Sequence, residues 1–202
     1  IALPRFVKLG ETGLEVDHSK LYAVALETTF NLNKVIDVNH YPIEEAKNSN
    51  MKHRPIGIGV QGLAELLFEL RLPFESDAAK VVNKEVHETI YYAAVTASCL
   101  IASRQGYAYS SYEGSPMSKG LFQFDLWRGA PSEKLSYRWD WDVLRERVRE
   151  HGIANSLLTA LMPTASTGQI LGNTECFEPI TSNVYTRRTL AGEFIVINKY
   201  LV

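Results

Sequence analysis

The residue types best able to do chemistry crowd into Met162-Pro163-Thr164-Ala165-Ser166-Thr167-Gly168-Gln169, where three hydroxyl side chains occupy one turn with small residues between them. A buried strand over Leu157-Leu158-Thr159-Ala160-Leu161 is expected before this turn and a helix after it. The first turn of a helix offers unpaired backbone N–H groups and about half a positive charge, which together favour an anion. Hydroxyls from Thr164, Ser166 and Thr167 would add donors without adding bulk. In α/β barrels a strand-to-helix turn of this kind is a common phosphate site. Ser and Thr are equally the usual N-cap residues, so the pattern alone leaves anion binding and plain helix capping level.

A second motif is rejected on its context. Gly57-Ile58-Gly59-Val60-Gln61-Gly62 matches G-x-G-x-x-G, with Asp77 at a spacing that would suit a ribose-binding acid. The dinucleotide fingerprint needs a hydrophobic strand ending at the first glycine. Here the preceding residues are Asn50-Met51-Lys52-His53-Arg54-Pro55, polar and interrupted by proline, and Asp77 begins a helix instead of ending a second strand. The glycines read as places where a strand and a helix pack closely. Tyr91-Tyr92 would suit a redox relay, but it lies mid-helix, where aromatics serve packing. His18, His40, His53, His87 and His151 show no i,i+4 pairing, so no metal site is expected. Cys99 sits in a helix-core context, and Cys176, among polar neighbours, is expected to be partly exposed. Neither has a partner for nucleophilic work in the sequence pattern, so no catalytic residue is assigned.

The elements that must position these residues follow from periodicity and breakers. A helix is expected from Asp17, its N-cap, to Asn39, with Leu21, Val24, Ala25, Leu32, Val35 and Ile36 at helical spacing. A turn at 39–42 and a polar linker through Asn48-Ser49-Asn50 follow. Ile56 to Val60 reads as a strand, leading into a helix over Gln61 to Leu67 that ends before Pro73. The longest helix runs from about Ser76 to Gln105, with Val82, Val86, Ile90, Ala93, Ala97 and Ile101 inward and Gly106 at C′. Residues 110–131, rich in Gly, Ser and aromatics, read as a long ordered loop. Asp140 caps a further helix with Trp141, Leu144 and Val148 inward, closed by His151-Gly152. The stretch to Val202 alternates loop and strand. Strands followed by helices make the fold class α/β.

Composition narrows the function classes. The chain has 202 residues, 46% hydrophobic and 22% charged, which suits a sizeable core and excludes collagen-like, low-complexity and strongly disordered classes. A net charge of −2 gives no basic excess for nucleic acid or an anionic membrane surface. No apolar run reaches the ~18 residues of a transmembrane helix. Two widely separated cysteines build neither a zinc site nor a disulfide framework, so a reducing, cytoplasmic setting is expected. Ile1-Ala2-Leu3-Pro4 and the apolar run at Ile195-Val196-Ile197 both read as cut ends of a longer polypeptide.

Several ordered segments together resemble the large, catalytic subunit of class I ribonucleotide reductase, most closely its eukaryotic and large-DNA-virus branch. They are the run Arg54 to Ala64, Glu88-Thr89-Ile90-Tyr91-Tyr92, Tyr112 to Gly120, and Met162 to Asn173. Glu178-Pro179, Thr181-Ser182-Asn183 and Tyr185-Thr186-Arg187-Arg188 extend the likeness. It covers almost the whole chain and is weakest before Asn31 and over Ser132 to Arg138. The resemblance implies that residues 1–202 are one incomplete domain, part of a ten-stranded α/β barrel. It also implies an enzyme that reduces ribonucleoside diphosphates to deoxyribonucleoside diphosphates by radical chemistry.

The family's Pro-Thr-Ala-Ser-Thr turn holds the substrate diphosphate, and it matches Thr164, Ala165, Ser166 and Thr167, which tips the choice between anion binding and capping. The family's Asn-x-Cys-x-Glu motif, bearing the radical cysteine, does not occur in these residues. Cys99 and Cys176 do not match its redox pair, and Tyr91-Tyr92 do not match its radical-pathway tyrosines. The resemblance therefore implies that this segment binds no cofactor and is inactive alone. The expected partners are the rest of the large subunit, a radical-generating small subunit, a thioredoxin- or glutaredoxin-type reductant and the diphosphate substrate. Two rivals remain at this stage. One is a cobalamin-dependent or glycyl-radical relative on the same barrel. The other is a non-catalytic phosphate-binding or assembly fragment of a split or decayed reductase gene.

Overall fold

A computed structural model describes residues 1–11, 13–127 and 135–201. The described chain divides into two compact units: Ile1–Glu15, Val60–Lys80 and Met162–Val202 form the first, and Val16–Gly59 with Val81–Leu161 the second.

The second unit is built on helices. Helix α1 spans His18–Val38, and the Asp17 carboxylate accepts from the Lys20 amide at 3.0 Å to cap it. Leu21, Ala25, Thr29, Asn33 and Ile36 form its buried stripe, while Val24 and Val35, expected inward, are exposed. Helix α2 occupies Glu44–His53, where a polar linker was expected. It buries nothing and so lacks the apolar period that marks a helix in sequence. Its support is electrostatic: Glu44 and Glu45 lie in the first turn, Lys52 and His53 in the last, each matching the helix dipole. Arg54 ends it in the left-handed region at φ 46°.

Helix α4, Asp77–Gln105, begins where the Ser76 hydroxyl accepts from the Ala79 amide at 3.1 Å and stops at Gly106, φ 78°. Residues 93–99 are buried all round, which is why small residues (Ala93, Ala94, Ala97, Ser98, Cys99) fill them. Helix α5, Trp141–His151, is capped by the Asp140 carboxylate accepting from the Val143 amide. The expected loop from residue 110 contains short 3₁₀ turns at Met117–Lys119 and Gln123–Leu126, and its last part, 128–131, lies outside the described residues.

A buried polar network ties this unit together. The Asn155 side chain exchanges two hydrogen bonds with that of Asn33, at 2.9 and 3.0 Å. It also donates to the Arg54 carbonyl and accepts from the Ser98 hydroxyl, both at 2.8 Å. Asn155 is fully buried, so each of these partners matters.

The strands expected at 56–60 and 157–161 are reduced to one parallel bridge, Ile58 with Thr159. Amide donation from Ile56 to Leu157, Ile58 to Leu158 and Ala160 to Ile58 sets the register. Three bonds over so short a stretch do not make an extended ladder. The second segment is also not a buried strand: Leu158 is buried, but Leu157 and Leu161 are exposed. The described residues show no closed barrel, and the ten strands implied by the resemblance are not seen in them. Their regular sheets are two separate two-stranded pairs.

The first unit holds one of these pairs in β1 (Val7–Leu9) and β2 (Leu14–Val16). Helix α3, Leu63–Glu69, starts at Gly62, whose φ of 75° and close neighbours Pro4 and Asn173 leave no room for a Cβ. Helix α6 spans Ala165–Leu171. Strands β3 (Val184–Thr189) and β4 (Gly192–Ile197) form an antiparallel hairpin in the register Val184 with Ile197 through Thr189 with Gly192.

Candidate anion-binding site

Helix α6 begins at Ala165, inside the hydroxyl-rich motif and not after it. Thr164 is the N-cap by position, at φ −108° and ψ 18°, yet its side chain caps none of the helix amides. Its hydroxyl instead accepts from the Cys176 amide at 3.0 Å. The first intrahelical bond runs from the Gly168 amide to the Thr164 carbonyl at 2.7 Å. The amides of Ala165, Ser166 and Thr167 therefore precede the helix's own ladder. Simple capping by Thr164, the bland alternative, is not how this turn is built.

Ala165, Ser166 and Thr167 are all exposed, and Thr164 is half-buried. The Thr167 hydroxyl donates its proton to the Thr164 carbonyl at 2.9 Å, so the donor this residue offers an anion is its backbone amide, beside the Ser166 hydroxyl and amide. Gly168 is buried, and a Cβ there would meet the Asn173 carbonyl at 3.2 Å and the Thr164 hydroxyl at 3.5 Å. The structure thus brings the four expected residues to the opening turn of one short helix, with hydroxyls and free-ended amides on an open face. That arrangement suits an oxyanion held by neutral donors. A partly open cavity of about 120 Å³ in this unit, between Ala64, Leu67, Phe68, Leu72, Pro73 and Phe74, is lined by apolar side chains and does not suit a phosphate.

Sequence reasoning missed the support behind this turn. Glu65 is only 3% exposed, and both of its carboxylate oxygens are used by Thr174: the amide donates at 2.6 Å and the hydroxyl at 2.6 Å. The signal was present, since Glu65 is the one charged residue inside the apolar run Leu63-Ala64-Glu65-Leu66-Leu67. A charge in such a run needs a buried partner.

The remaining candidates fall elsewhere. Cys176 is buried, against the expected partial exposure, and adopts φ 48°. Its amide is committed to Thr164, which draws the residue inward. Cys99 is buried in α4, and burial pushes its thiol pKa up. Tyr91 and Tyr92 are packing residues: Trp141 lies 5.7 Å from the first ring and 5.0 Å from the second, and Tyr92 stacks on Trp139 at 5.0 Å. Burial pushes the Tyr91 phenol to about 12, and its oxygen accepts from the Gln123 amide. His18 meets the Thr89 hydroxyl at 2.8 Å, His53 the Ser111 hydroxyl at 2.6 Å, and His87 the Asn83 carbonyl at 2.8 Å. Among the described residues no three His, Cys, Asp or Glu side chains are grouped to hold a metal ion, and no helix is long and apolar enough to cross a membrane.

The ribonucleotide reductase barrel-domain family matches residues 1–202, the full chain. The chain belongs to that family. The "Ribonucleoside-diphosphate reductase large chain 2" of Saccharomyces cerevisiae is 54% identical over 204 residues, covering 100% of this chain and 23% of that protein. The large chain of Schizosaccharomyces pombe is 55% identical over 202 residues, covering 100% of this chain and 24% of its own. The large subunit of Arabidopsis thaliana is 53% identical over 218 residues, covering 100% and 26%. The chain thus spans about a quarter of the length of the curated relatives it matches. These relatives are eukaryotic, as the resemblance implied, and their names describe the large chain or subunit of a ribonucleoside-diphosphate reductase.

Proposed function

We propose that this chain works as part of a ribonucleoside-diphosphate reductase large subunit and that Thr164, Ala165, Ser166 and Thr167 hold the diphosphate of the substrate. The observation that carries the reading is the construction of the α6 start: its cap hydroxyl is turned to Cys176, and the following amides and hydroxyls stay on an exposed face. The match of residues 1–202 to the reductase barrel-domain family supports a ribonucleoside diphosphate as the anion's source. Neutral donors suit a diphosphate that must bind and leave each turnover, because they hold it by direction without adding a fixed cation.

The chemical contribution of the segment is positioning. Anchoring the diphosphate fixes the ribose, so that its 3′-hydrogen can face the radical cysteine that the family carries in its Asn-x-Cys-x-Glu motif. The reaction replaces the 2′-hydroxyl by hydrogen, with the oxygen leaving as water. Its two electrons come from a dithiol that a thioredoxin- or glutaredoxin-type protein restores. The other partners in this reading are the rest of the large subunit and a radical-generating small subunit. Both cysteines of the chain are free, which suits a reducing compartment such as the cytoplasm.

The test is steady-state kinetics of the complete reductase carrying Ser166→Ala and Thr167→Ala together. KM for ribonucleoside diphosphates should rise by roughly tenfold or more with a smaller change in kcat, since the lost contacts bind substrate before and during the reaction. Unchanged diphosphate kinetics would overturn the assignment.

A further inference from the structure

We propose that Glu65 is the positioning residue of the diphosphate cradle, acting through Thr174 and the 173–176 loop on Thr164 and the start of α6. The proposal rests on the reading of Thr164–Thr167 as that cradle. A carboxylate is the wrong charge to attract a diphosphate, so its use must be geometric. Glu65 spends both oxygens on one residue, the amide and the hydroxyl of Thr174, at 2.6 Å each. Bonds to an ionised acceptor are shorter and stronger than those between neutral groups. The Thr174 carbonyl is taken as well, by the Gly62 amide at 3.0 Å. The opening of α3 therefore clamps Thr174 through its amide, its hydroxyl and its carbonyl.

From that fixed point the loop grips α6 at both ends. One residue back, the Asn173 amide donates to the Gly168 carbonyl at 2.8 Å. Two residues on, the Cys176 amide donates to the Thr164 hydroxyl at 3.0 Å. Cys176 itself is held at φ 48°, a conformation that a side-chain-bearing residue adopts only when its surroundings impose it. The tightness at Gly168, where a Cβ would press on the Asn173 carbonyl, shows the loop lying directly against the helix. A seven-residue helix whose one buried residue is Gly168 cannot orient itself by burial. The Glu65–Thr174 clamp does this instead, and it decides where the donors of Thr164–Thr167 point.

The experiment uses the complete reductase with Glu65→Ala, Glu65→Gln and Thr174→Val. Glu65→Ala and Thr174→Val should raise KM for ribonucleoside diphosphates by roughly three- to tenfold, with kcat changed less. Glu65→Gln, which keeps an acceptor for the amide and can donate to the hydroxyl, should restore most of the loss. A cycle with Thr164→Val should be non-additive in KM, because both changes cut the same chain of contacts. Should Glu65→Ala fail to fold, Thr174→Val carries the same readout without emptying the site. A lowered melting temperature with KM unchanged in the folded variants, or strict additivity with Thr164→Val, would overturn the proposal. If Ser166→Ala with Thr167→Ala raises KM while the Glu65 and Thr174 variants do not, the clamp fails alone. If that double variant leaves KM unchanged, the cradle reading itself fails.

Discussion

Helices α4 and α6 answer the same sequence rules in opposite ways. Helix α4 is 29 residues long, opens on a side-chain cap from Ser76 and is buried on every side over 93–99. Helix α6 has seven residues, no side-chain cap and a largely exposed surface, with Gly168 its buried residue. The first is held by apolar burial and satisfies its own start. The second is held by directional bonds from a loop and leaves its start open to solvent. A scaffold helix uses its hydroxyls to end itself, whereas a helix that presents donors to a ligand must be secured by something other than those donors. The hydroxyls of Ser76 and Thr164 look alike in sequence and do opposite jobs, capping in one case and bracing a loop in the other.

This contrast can be broken or sharpened by substitution in the full-length subunit. The largest effect is expected in the polar network behind α4, where Asn155→Ala strands Asn33, Ser98 and the Arg54 carbonyl in a buried setting. It should cost about 3 kcal/mol or more, measured by denaturant or thermal unfolding. Next, Ser76→Ala should cost about 1 kcal/mol as a lost cap and leave diphosphate KM alone. A comparable KM change there would erase the distinction between the two helices.

A smaller effect concerns pH. Burial, with help from Arg138, holds the His18 imidazole below its ordinary 6.5 against the opposing pull of Glu85, Glu88 and Asp17. As pH falls the unfolded chain takes up this proton first, so the stabilisation is full above about 6.5 and is lost as pH drops toward the depressed folded value. His18→Gln should therefore flatten the stability profile of the subunit below about 6.5. The smallest effect is expected from Ile170→Ser on α6. Ile170 is 80% exposed, and the change should stay within about 0.5 kcal/mol. A large loss there would show that α6 depends on burial after all.

Elements with an apolar stripe and a cap were readable from sequence to within a residue or so. Asp17 and Val38 bound α1, Ser76 and Gly106 bracket α4, and Asp140 and Gly152 bracket α5. Helix α2 was not, because a helix that buries nothing carries its signal only in the placement of Glu44, Glu45, Lys52 and His53. The strands at 56–60 and 157–161 were legible as apolar runs, but the extent of their pairing was not. Parallel pairing depends on residues a hundred positions away, and here it amounts to the Ile58–Thr159 bridge. Of the site, the cluster Thr164–Thr167 was visible as three hydroxyls in a tight turn. Its support was hidden, since Glu65 lies far upstream and the polar neighbours of Cys176 point to partial exposure, not burial.

The residue order by itself determined the helices with buried faces, their ends, and the family to which the chain belongs, because periodicity, caps and long ordered runs of identity are local properties. Only the tertiary structure decided what each polar group is for. Hydrogen bonds are short and directional, so the roles of Glu65, Thr174, Cys176 and Thr164 depend on contacts of a few ångströms between residues up to 109 positions apart that no spacing rule connects.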